Sequence, residues 1–350
     1  MFSFGLLSSW PVALGIFLVS LSIVVATSAR FTRRLEELCE SFSLSIGMLS
    51  LLSALGANIP NYVSSAIAII GGHVDVGIGI IVGSNIYNIA IILGLCILLT
   101  PERGGITLGS QEQRDVRIIA WYALAITLGA FVMIALLPDS VAWLMIRDTR
   151  LLTGLLFPVT GVVVLAIFAG LLVHILRRSH GGEGTTLHRH AEHLEKPAPL
   201  SLLRLSGEAT FTLVLALGGV LVMVQAGQAL TSDLHMPSVL AGLLVLAVAT
   251  SLPNTVVALS LVRTGEAAAC VEELWSSGSI NTALGIGLPL IFWPGLLGDR
   301  FLLLLDAPLT LALLAGVFAG VLRGRMGRSL GILLLATYVV WVMVRFWMQG

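Results

Sequence analysis

Charged residues are scarce in this sequence. Asp, Glu, Lys and Arg make up 11% of its 350 residues, whereas hydrophobic residues make up 57%. Soluble domains carry about 25% charged and about 45–50% apolar residues, so a soluble fold could not hide this much apolar surface from water. The formal net charge is zero, which excludes a basic field for nucleic acid and an acidic tail for a soluble partner. We therefore expect the main partner to be the lipid bilayer.

Cysteine is rare as well, and common catalytic motifs are absent. Cys39, Cys96 and Cys270 are scattered and odd in number, which supports neither a disulfide framework nor a CxxC site; we expect them to be small hydrophobic residues in helices. The sequence contains no HExxH or GxSxG motif. We therefore expect no enzyme, no catalytic residue, no cofactor and no certain metal site.

Long apolar runs are abundant, and several reach the roughly 20 residues that a helix needs to cross the hydrocarbon core. They predict an all-α polytopic membrane protein of about ten transmembrane helices. The expected spans are 11–29, 43–70, 74–99, 116–138, 150–176, 202–230, 237–262, 267–292, 301–322 and 329–347.

The basic residues orient these spans. Of the 19 Lys and Arg residues, 15 fall in one alternating set of loops and four in the other, namely Arg147, Arg150, Arg300 and Arg345. Basic loops favour the cytoplasm. No positive charge precedes the first apolar run, which argues against a cleaved signal peptide. We expect a bacterial inner membrane protein with both termini outside.

A hydrophilic linker divides the chain. Residues 177–201 separate a first half, 1–176, from a second half, 202–350, each with five predicted helices. The linker contains four histidines, His180, His188, His190 and His193. Such a cluster could bind a metal, but Gly-rich spacing without cysteine does not fix a coordination geometry, and a flexible cytoplasmic linker is the favoured reading.

The two halves contain an internal repeat. An offset of 193 residues aligns 53–95 with 246–288 without a gap, and the matches include Pro60 with Pro253 and Asn61 with Asn254. The first copy turns outside, at 71–73, and the second inside, at 263–265, so the copies are predicted to be inverted. Inverted repeats with interrupted helices are typical of secondary transporters, whose site lies near the bilayer midplane.

Each copy places a proline inside a long predicted helix. Pro60 and Pro253 remove an N–H and displace the carbonyl four residues earlier, those of Gly56 and Ala249. The bent segments would direct carbonyls, hydroxyls and amides into a polar cavity. The alternative is an ordinary proline kink patched by Ser and Thr. Because the feature is duplicated, we favour a central site formed by the second, third, seventh and eighth helices.

The candidate ligands of that site are hydroxyls and amides. Ser84 lies four residues before Asn88, and Ser277 four before Asn281, so each pair shares one helix face. The predicted ion- or substrate-binding residues are Asn58, Asn61, Ser84, Asn88, Thr250, Ser251, Asn254, Ser277 and Asn281, with Glu273 as a possible addition.

These segments resemble the two alpha repeats of the calcium/cation antiporter superfamily, the sodium/calcium exchangers and their relatives. The family pattern is G-x-S-x-P-E followed by G-S-N-I-x-N; residues 56–61 and 83–88 match it well, and 249–254 and 276–281 more loosely. The resemblance implies alternating access, in which sodium or protons enter as a divalent cation, usually calcium, leaves.

The sequence departs from the family at the acids. Asn61 and Asn254 stand where the family carries glutamate, and Asn88 and Asn281 where many exchangers have aspartate or asparagine. Amides can coordinate calcium but cannot neutralise it. We expect weaker calcium binding than in the family, and three alternatives remain: a monovalent or weakly held divalent cation, another small polar solute, or a relative that does not transport and acts as a subunit or regulator.

One acid could compensate. Glu273 lies on the stripe of Ser277 and Asn281, about 6 Å of helix rise from Ser277. An intramembrane carboxylate is a functional candidate, but Glu273 could equally be hydrated near the cytoplasmic helix end. For Glu208 and Asp306, which also lie near helix ends, we expect hydration.

Overall fold

A computed structural model describes residues 9–41, 54–102, 104–137, 150–180, 200–233 and 237–348. These residues are almost entirely helical. The first half contains α1 (Trp10–Ser41), α2 (Ile59–Ile70), α3 (Val74–Leu99), α4 (Ser110–Ala135) and α5 (Arg150–His180). The second half contains α6 (Leu200–Asp233), α7 (Ala241–Arg263), α8 (267–292), α9 (Leu302–Leu322) and α10 (Arg328–Trp347). Two short strands, β1 (Ile106–Thr107) and β2 (Arg325–Met326), pair antiparallel.

Eight of these helices are long and apolar enough to cross a membrane, so the protein is a polytopic α-helical membrane protein. The apolar part of α1 is Trp10–Phe31, and α2 is a shorter apolar helix. The predicted start of the second span, residue 43, lies outside the described residues. The α8 stretch carries serines, Asn281 and two adjacent glutamates, which makes it more polar than the other spans.

Helix α3 lies at the centre. In the window that defines its span, 83% of the residues are buried, compared with 22% for α5 and for α10. Large apolar side chains such as Phe211 and Met343 are exposed on the outer helices. Because apolar surface faces acyl chains without cost, these outer helices form the lipid-facing surface.

Glycines let α3 approach α7 closely. A Cβ at Gly83 would overlap the carbonyl oxygen of Leu243, and one at Gly242 would overlap that of Val76. Gly79 likewise faces the backbone at Val239. Small residues at i and i+4 allow such close backbone packing in membranes. The contact brings the two predicted repeats together along their central helices.

The turns of the two repeats have the same geometry. Gly72 and Gly265, which are 193 positions apart, have φ values of 85° and 86°. The residue after each glycine, His73 or Glu266, donates its N–H to a carbonyl five residues earlier at 2.8 Å. This is the Schellman arrangement, in which glycine accepts the left-handed conformation.

Contacts between helix ends group the loops into two sets. The β1–β2 pair joins the α3–α4 connection to the α9–α10 connection. Arg34 near the end of α1 pairs with Glu208 near the start of α6 at 2.9 Å, and Glu208 is also paired with Arg204. At the opposite ends, Asp75 accepts the N–H of Gly298 at 3.0 Å. The two sets agree with the alternation of basic loops.

The expected first span, 11–29, is confirmed by the apolar part of α1, Trp10–Phe31. The helix itself continues to Ser41, and an ion pair between Arg34 and Glu37 at 2.6 Å supports it beyond the apolar part. Two expectations need correction. Pro60 does not lie mid-helix but in the first turn of α2, where no N–H is required.

Asp306 is the second correction, because it is buried rather than hydrated. It is 0% exposed, accepts the indole N–H of Trp341 at 2.7 Å and lies 3.5 Å from the Arg345 guanidinium. Arg345 also pairs with Asp299 at 2.6 Å. A charge inside a membrane protein requires such partners, and α10 supplies them.

Two further expectations concern the cysteines and the histidine-containing linker. Cys96 and Cys270 are buried free thiols whose sulfur atoms lie 3.2 Å apart in a hydrogen bond, not in a disulfide. The histidine-containing linker falls largely outside the described residues, which exclude 181–199.

Candidate functional site

The segments that contain Pro60 and Pro253 have different backbone conformations in the two repeats. Residues 54–57 form a helical turn, and the helix is interrupted at Asn58, which has φ −93° and ψ 0°. Helix α2 then begins at Ile59. Pro253 instead lies inside α7, which continues to Arg263. Of the two predicted bends, the first is therefore a full interruption of the helix.

Two hydrogen bonds link these segments to the opposite repeat. Asn58 Nδ2 donates to Ser277 Oγ of α8 at 2.9 Å. Ser251 Oγ of α7 lies 2.7 Å from Ser84 Oγ of α3. Asn58 and Ser251 are counterparts at the offset of 193, as are Ser84 and Ser277. In each bond, the proline segment of one repeat contacts the serine-containing helix of the other repeat. The two equivalent bonds bring the four expected helices together.

The Asn58 side chain also accepts hydrogen bonds from the two asparagines that follow the prolines, Asn61 and Asn254. Its Oδ1 accepts Nδ2 of Asn254 at 3.0 Å and Nδ2 of Asn61 at 3.4 Å, while its own Nδ2 also donates to Ala54 O at 2.9 Å. All three side chains are 0% exposed. We call Asn58, Asn61, Asn254, Ser277 and the Ser84–Ser251 pair the amide–hydroxyl cluster.

Several amide atoms in this region have no partner among the residues that the structure describes. One of them is Oδ1 of Asn85, whose counterpart is a glycine. The others are Oδ1 of Asn61, Oδ1 of Asn254, and both side-chain polar atoms of Asn88 and Asn281. Each of the latter residues is at most 1% exposed. An unpaired buried polar group costs about 1–3 kcal/mol, and these latter atoms again form counterpart pairs, Asn61 with Asn254 and Asn88 with Asn281.

Glu273 contacts the cluster through Ser277. Its Oε1 accepts the Ser277 hydroxyl at 2.7 Å, and its Oε2 is buried without a hydrogen-bond partner in the described residues. The residue as a whole is partly buried, and its role in ion binding remains a prediction.

In each repeat a π-helical turn begins at the asparagine of the serine–asparagine pair or two residues after it. It spans Asn88–Ile92 in α3 and Ala283–Gly287 in α8. Such turns shift the helix register and occur frequently at functional sites. No motif in the sequence predicted them.

Besides Asn88 and Asn281, whose side-chain polar atoms are unpaired in the described part of the chain, three predicted residues lie outside the hydrogen-bonded cluster. The Thr250 hydroxyl donates to the carbonyl of Leu246 on its own helix at 2.8 Å. Gly56 and Ala249 are buried next to the cluster segments. The role suggested for their carbonyls remains a prediction.

Sequence comparison between the copies missed Asn85 and Ser65. Asn85 Nδ2 donates to Thr282 Oγ1 at 2.8 Å, which joins α3 to α8. Ser65 Oγ lies within hydrogen-bond distance of the carbonyls of Gly77, at 2.8 Å, and Gly285, at 2.7 Å. The counterparts of Asn85 and Ser65 are Gly278 and Ala258, so a search for repeated polar residues passes over both.

The chemistry of the cluster is that of a neutral oxygen and amide site with one acid at its edge. Carboxamide and hydroxyl oxygens can coordinate a cation, and the amide nitrogens can donate to a polar solute. Within the described residues, no group of three or more His, Cys, Asp or Glu side chains could hold a metal.

Comparison with known proteins places these features in a family. Residues 12–177 and 209–347 match the model of the family described as sodium/calcium exchanger protein. The chain is also 25% identical over 350 residues to inner membrane protein YrbG of Escherichia coli (strain K12), covering 96% of this chain and 98% of that protein.

Two solved structures share the fold. The H+/Ca2+ exchanger CAX superposes with a TM-score of 0.72 and 18% identity, covering 95% of this chain and 82% of that one. The sodium-calcium exchanger NCX_Mj superposes with a TM-score of 0.59 and 20% identity, covering 96% and 99%.

Proposed function

Because the chain belongs to the sodium/calcium exchanger protein family, we propose that it is a secondary cation antiporter that works by alternating access with a carboxylate-poor central site. Its two halves form inverted repeats of five helices, and the amide–hydroxyl cluster at their meeting point holds the transported ion. Sodium, protons and calcium are the candidate ions.

The observation that carries this proposal is the set of unpaired amide atoms on Asn61, Asn254, Asn88 and Asn281. A purely structural helix bundle has no need to bury such atoms without partners. Their arrangement in counterpart pairs, together with the reciprocal Asn58–Ser277 and Ser251–Ser84 contacts, supports one site formed equally by both repeats. In alternating access, movement of one repeat against the other would expose this site first to one side of the membrane and then to the other.

Flux into proteoliposomes tests the proposal. The full chain is reconstituted, and uptake of sodium, potassium, protons or calcium is measured against an opposing gradient of each other ion. We expect gradient-dependent exchange of at least one pair, and its loss in Asn61→Ala with Asn254→Ala. Thr337→Ala, whose hydroxyl bonds only its own helix at Leu333 among the described residues, is the matched control. Folded protein without any exchange would exclude antiport and favour a non-transporting subunit or regulator.

We further propose an orientation in the inner membrane. The loops joined by β1–β2 and by Arg34–Glu208 carry most of the basic residues and face the cytoplasm. Both termini, and the ends of helices near Asp75 and Arg345, then face outward. A C-terminal alkaline phosphatase fusion should be active and a C-terminal green fluorescent protein fusion dark; the reverse pattern would overturn the orientation.

A further inference from the structure

The four helices around the cluster carry few charges. Apart from Glu273, the charged residues within α2, α3, α7 and α8 are Asp75, Arg263 and Glu272. Asp75 lies in the first turn of α3 and accepts backbone N–H groups of Gly298 and Asp299. Arg263 is exposed at the far end of α7. Neither residue forms a hydrogen bond with the cluster.

Glu272 and Glu273 are adjacent but not equivalent. Consecutive helical residues differ by about 100° around the axis, so the two side chains leave α8 in different directions. Glu273 is four residues before Ser277 and accepts its hydroxyl at 2.7 Å. Among the hydrogen bonds of the described residues, it is the acid that reaches the cluster.

A continuous set of hydrogen bonds connects this acid to the centre. Ser277 donates to Glu273 and accepts from Asn58 at 2.9 Å. Asn58 in turn accepts from Asn254 at 3.0 Å. The second carboxylate oxygen, Oε2 of Glu273, is buried and has no hydrogen-bond partner in the described part of the chain. An anionic oxygen in that position is complemented by a cation.

We propose that Glu273 supplies the negative charge of the transport site and that the site therefore takes a monovalent cation in preference to a divalent one. This inference rests on the proposed function. It assigns a ligand at a position outside the repeat motif: the acids that would follow Pro60 and Pro253 are amides, and the charge comes from α8 instead.

The preference follows from charge balance. One carboxylate neutralises one positive charge, whereas a divalent ion would keep one charge uncompensated in a poorly solvated site. The counterpart of Glu273 in the first repeat is Ile80, which is 0% exposed, so the equivalent position carries no second acid. Hydroxyl and amide oxygens complete the coordination of an alkali ion without changing this balance.

Binding calorimetry on the purified full chain tests the inference, with lithium, sodium, potassium and calcium chlorides as probes and choline chloride holding the ionic strength constant. We expect at least one alkali ion to bind more tightly than calcium. Glu273→Gln should weaken that binding at least about tenfold. Glu272→Gln, the same change one residue away, should stay within about twofold of the wild type.

A rescue separates charge from structure. Asn61→Glu in the Glu273→Gln background restores one acid to the same cluster, so alkali-ion affinity should return to within about threefold of the wild type. A merely structural role for Glu273 would not be rescued by an acid on α2.

The remaining outcomes distinguish the two proposals. Unchanged alkali-ion binding in Glu273→Gln, with loss in Asn254→Ala, would overturn the role of Glu273 and leave the antiporter. Tighter binding of calcium than of every alkali ion by the wild type would also overturn the inference alone. Folded wild-type protein that binds none of these ions would contradict the proposed function itself.

Discussion

Asn58 and Ser277 are joined by a 2.9 Å hydrogen bond although they are 219 residues apart in the chain. The bond connects the interrupted segment before α2 to the middle of α8, and its counterpart connects α7 to α3 through Ser251 and Ser84. Side-chain hydrogen bonds of this kind contribute about 0.6 kcal/mol on average, and up to about 1.7, between membrane helices. Each bond should therefore be measurable as a coupling.

The first prediction concerns these couplings. Double-mutant cycles with Asn58→Ala and Ser277→Ala, and with Ser84→Ala and Ser251→Ala, should each give a coupling energy of about 0.5–1.5 kcal/mol in unfolding experiments. The cycle cancels the separate loss of the Ser277 bond to Glu273. A cycle of Asn58→Ala with Thr337→Ala should be additive. Additivity in both cluster cycles would contradict the reciprocal contacts.

The second prediction concerns the close packing of α3 on α7. Gly83→Ala places a Cβ against the backbone carbonyl of Leu243, and overpacking of this kind costs about 1–3 kcal/mol. Gly218→Ala is the matched control, since a Cβ there meets open space and alanine favours helix. We expect a lower thermal midpoint and lower folded yield for the first substitution and no loss for the second. Equal behaviour would mean that the two helices are further apart.

The sequence predicts the helices well because lipid leaves the backbone few choices. Every N–H and C=O in hydrocarbon must be bonded within its own segment, so an apolar run such as Val74–Leu99 becomes a helix with the expected bounds. The continuation of α1 to Ser41 is harder to predict, since it depends on ion pairs formed outside the apolar part. The π-helical turns that begin at Asn88 and Ala283 depend on packing and have no sequence signature.

Comparing the two repeats predicts the residues of the candidate site only where both repeats carry a polar residue at the same position. Comparing the repeats identifies Asn58, Ser84, Ser251 and Ser277 because each has a polar counterpart. It misses Asn85, whose counterpart is Gly278. Glu273 also lacks a polar counterpart and was found from its spacing to Ser277.

Pairs that depend on tertiary packing escape sequence analysis altogether. Asp306 and Arg345 lie on consecutive helices, 39 positions apart, and their contact at 3.5 Å depends on the tertiary fold and not on their spacing in the sequence. Each residue alone resembles a hydrated charge at the end of a helix.

The third prediction concerns this buried pair. Arg345→Met leaves Asp306 without its cation and should destabilise the protein by about 3–5 kcal/mol. Adding Asp306→Asn should recover part of the loss, because an amide oxygen can still accept the indole N–H of Trp341, whereas Asp299 still lacks its ion pair with Arg345. The control is Arg204→Met, which removes an arginine that is 81% exposed and should change the unfolding midpoint little. Equal effects of Arg345→Met and Arg204→Met would show that Arg345 is hydrated.

The fourth prediction restores the acids of the family pattern. Asn61→Glu with Asn254→Glu adds two carboxylates to the cluster beside Glu273, and calcium affinity measured by calorimetry should rise at least about tenfold, because calcium requires anionic oxygens for charge compensation. The control, Asn61→Gln with Asn254→Gln, lengthens both side chains without adding charge and should not raise calcium affinity. Since Asn61 and Asn254 both contact Oδ1 of Asn58, the two new acids would lie close enough to share one ion. Unchanged calcium binding in a folded double mutant would show that these positions do not form a common site.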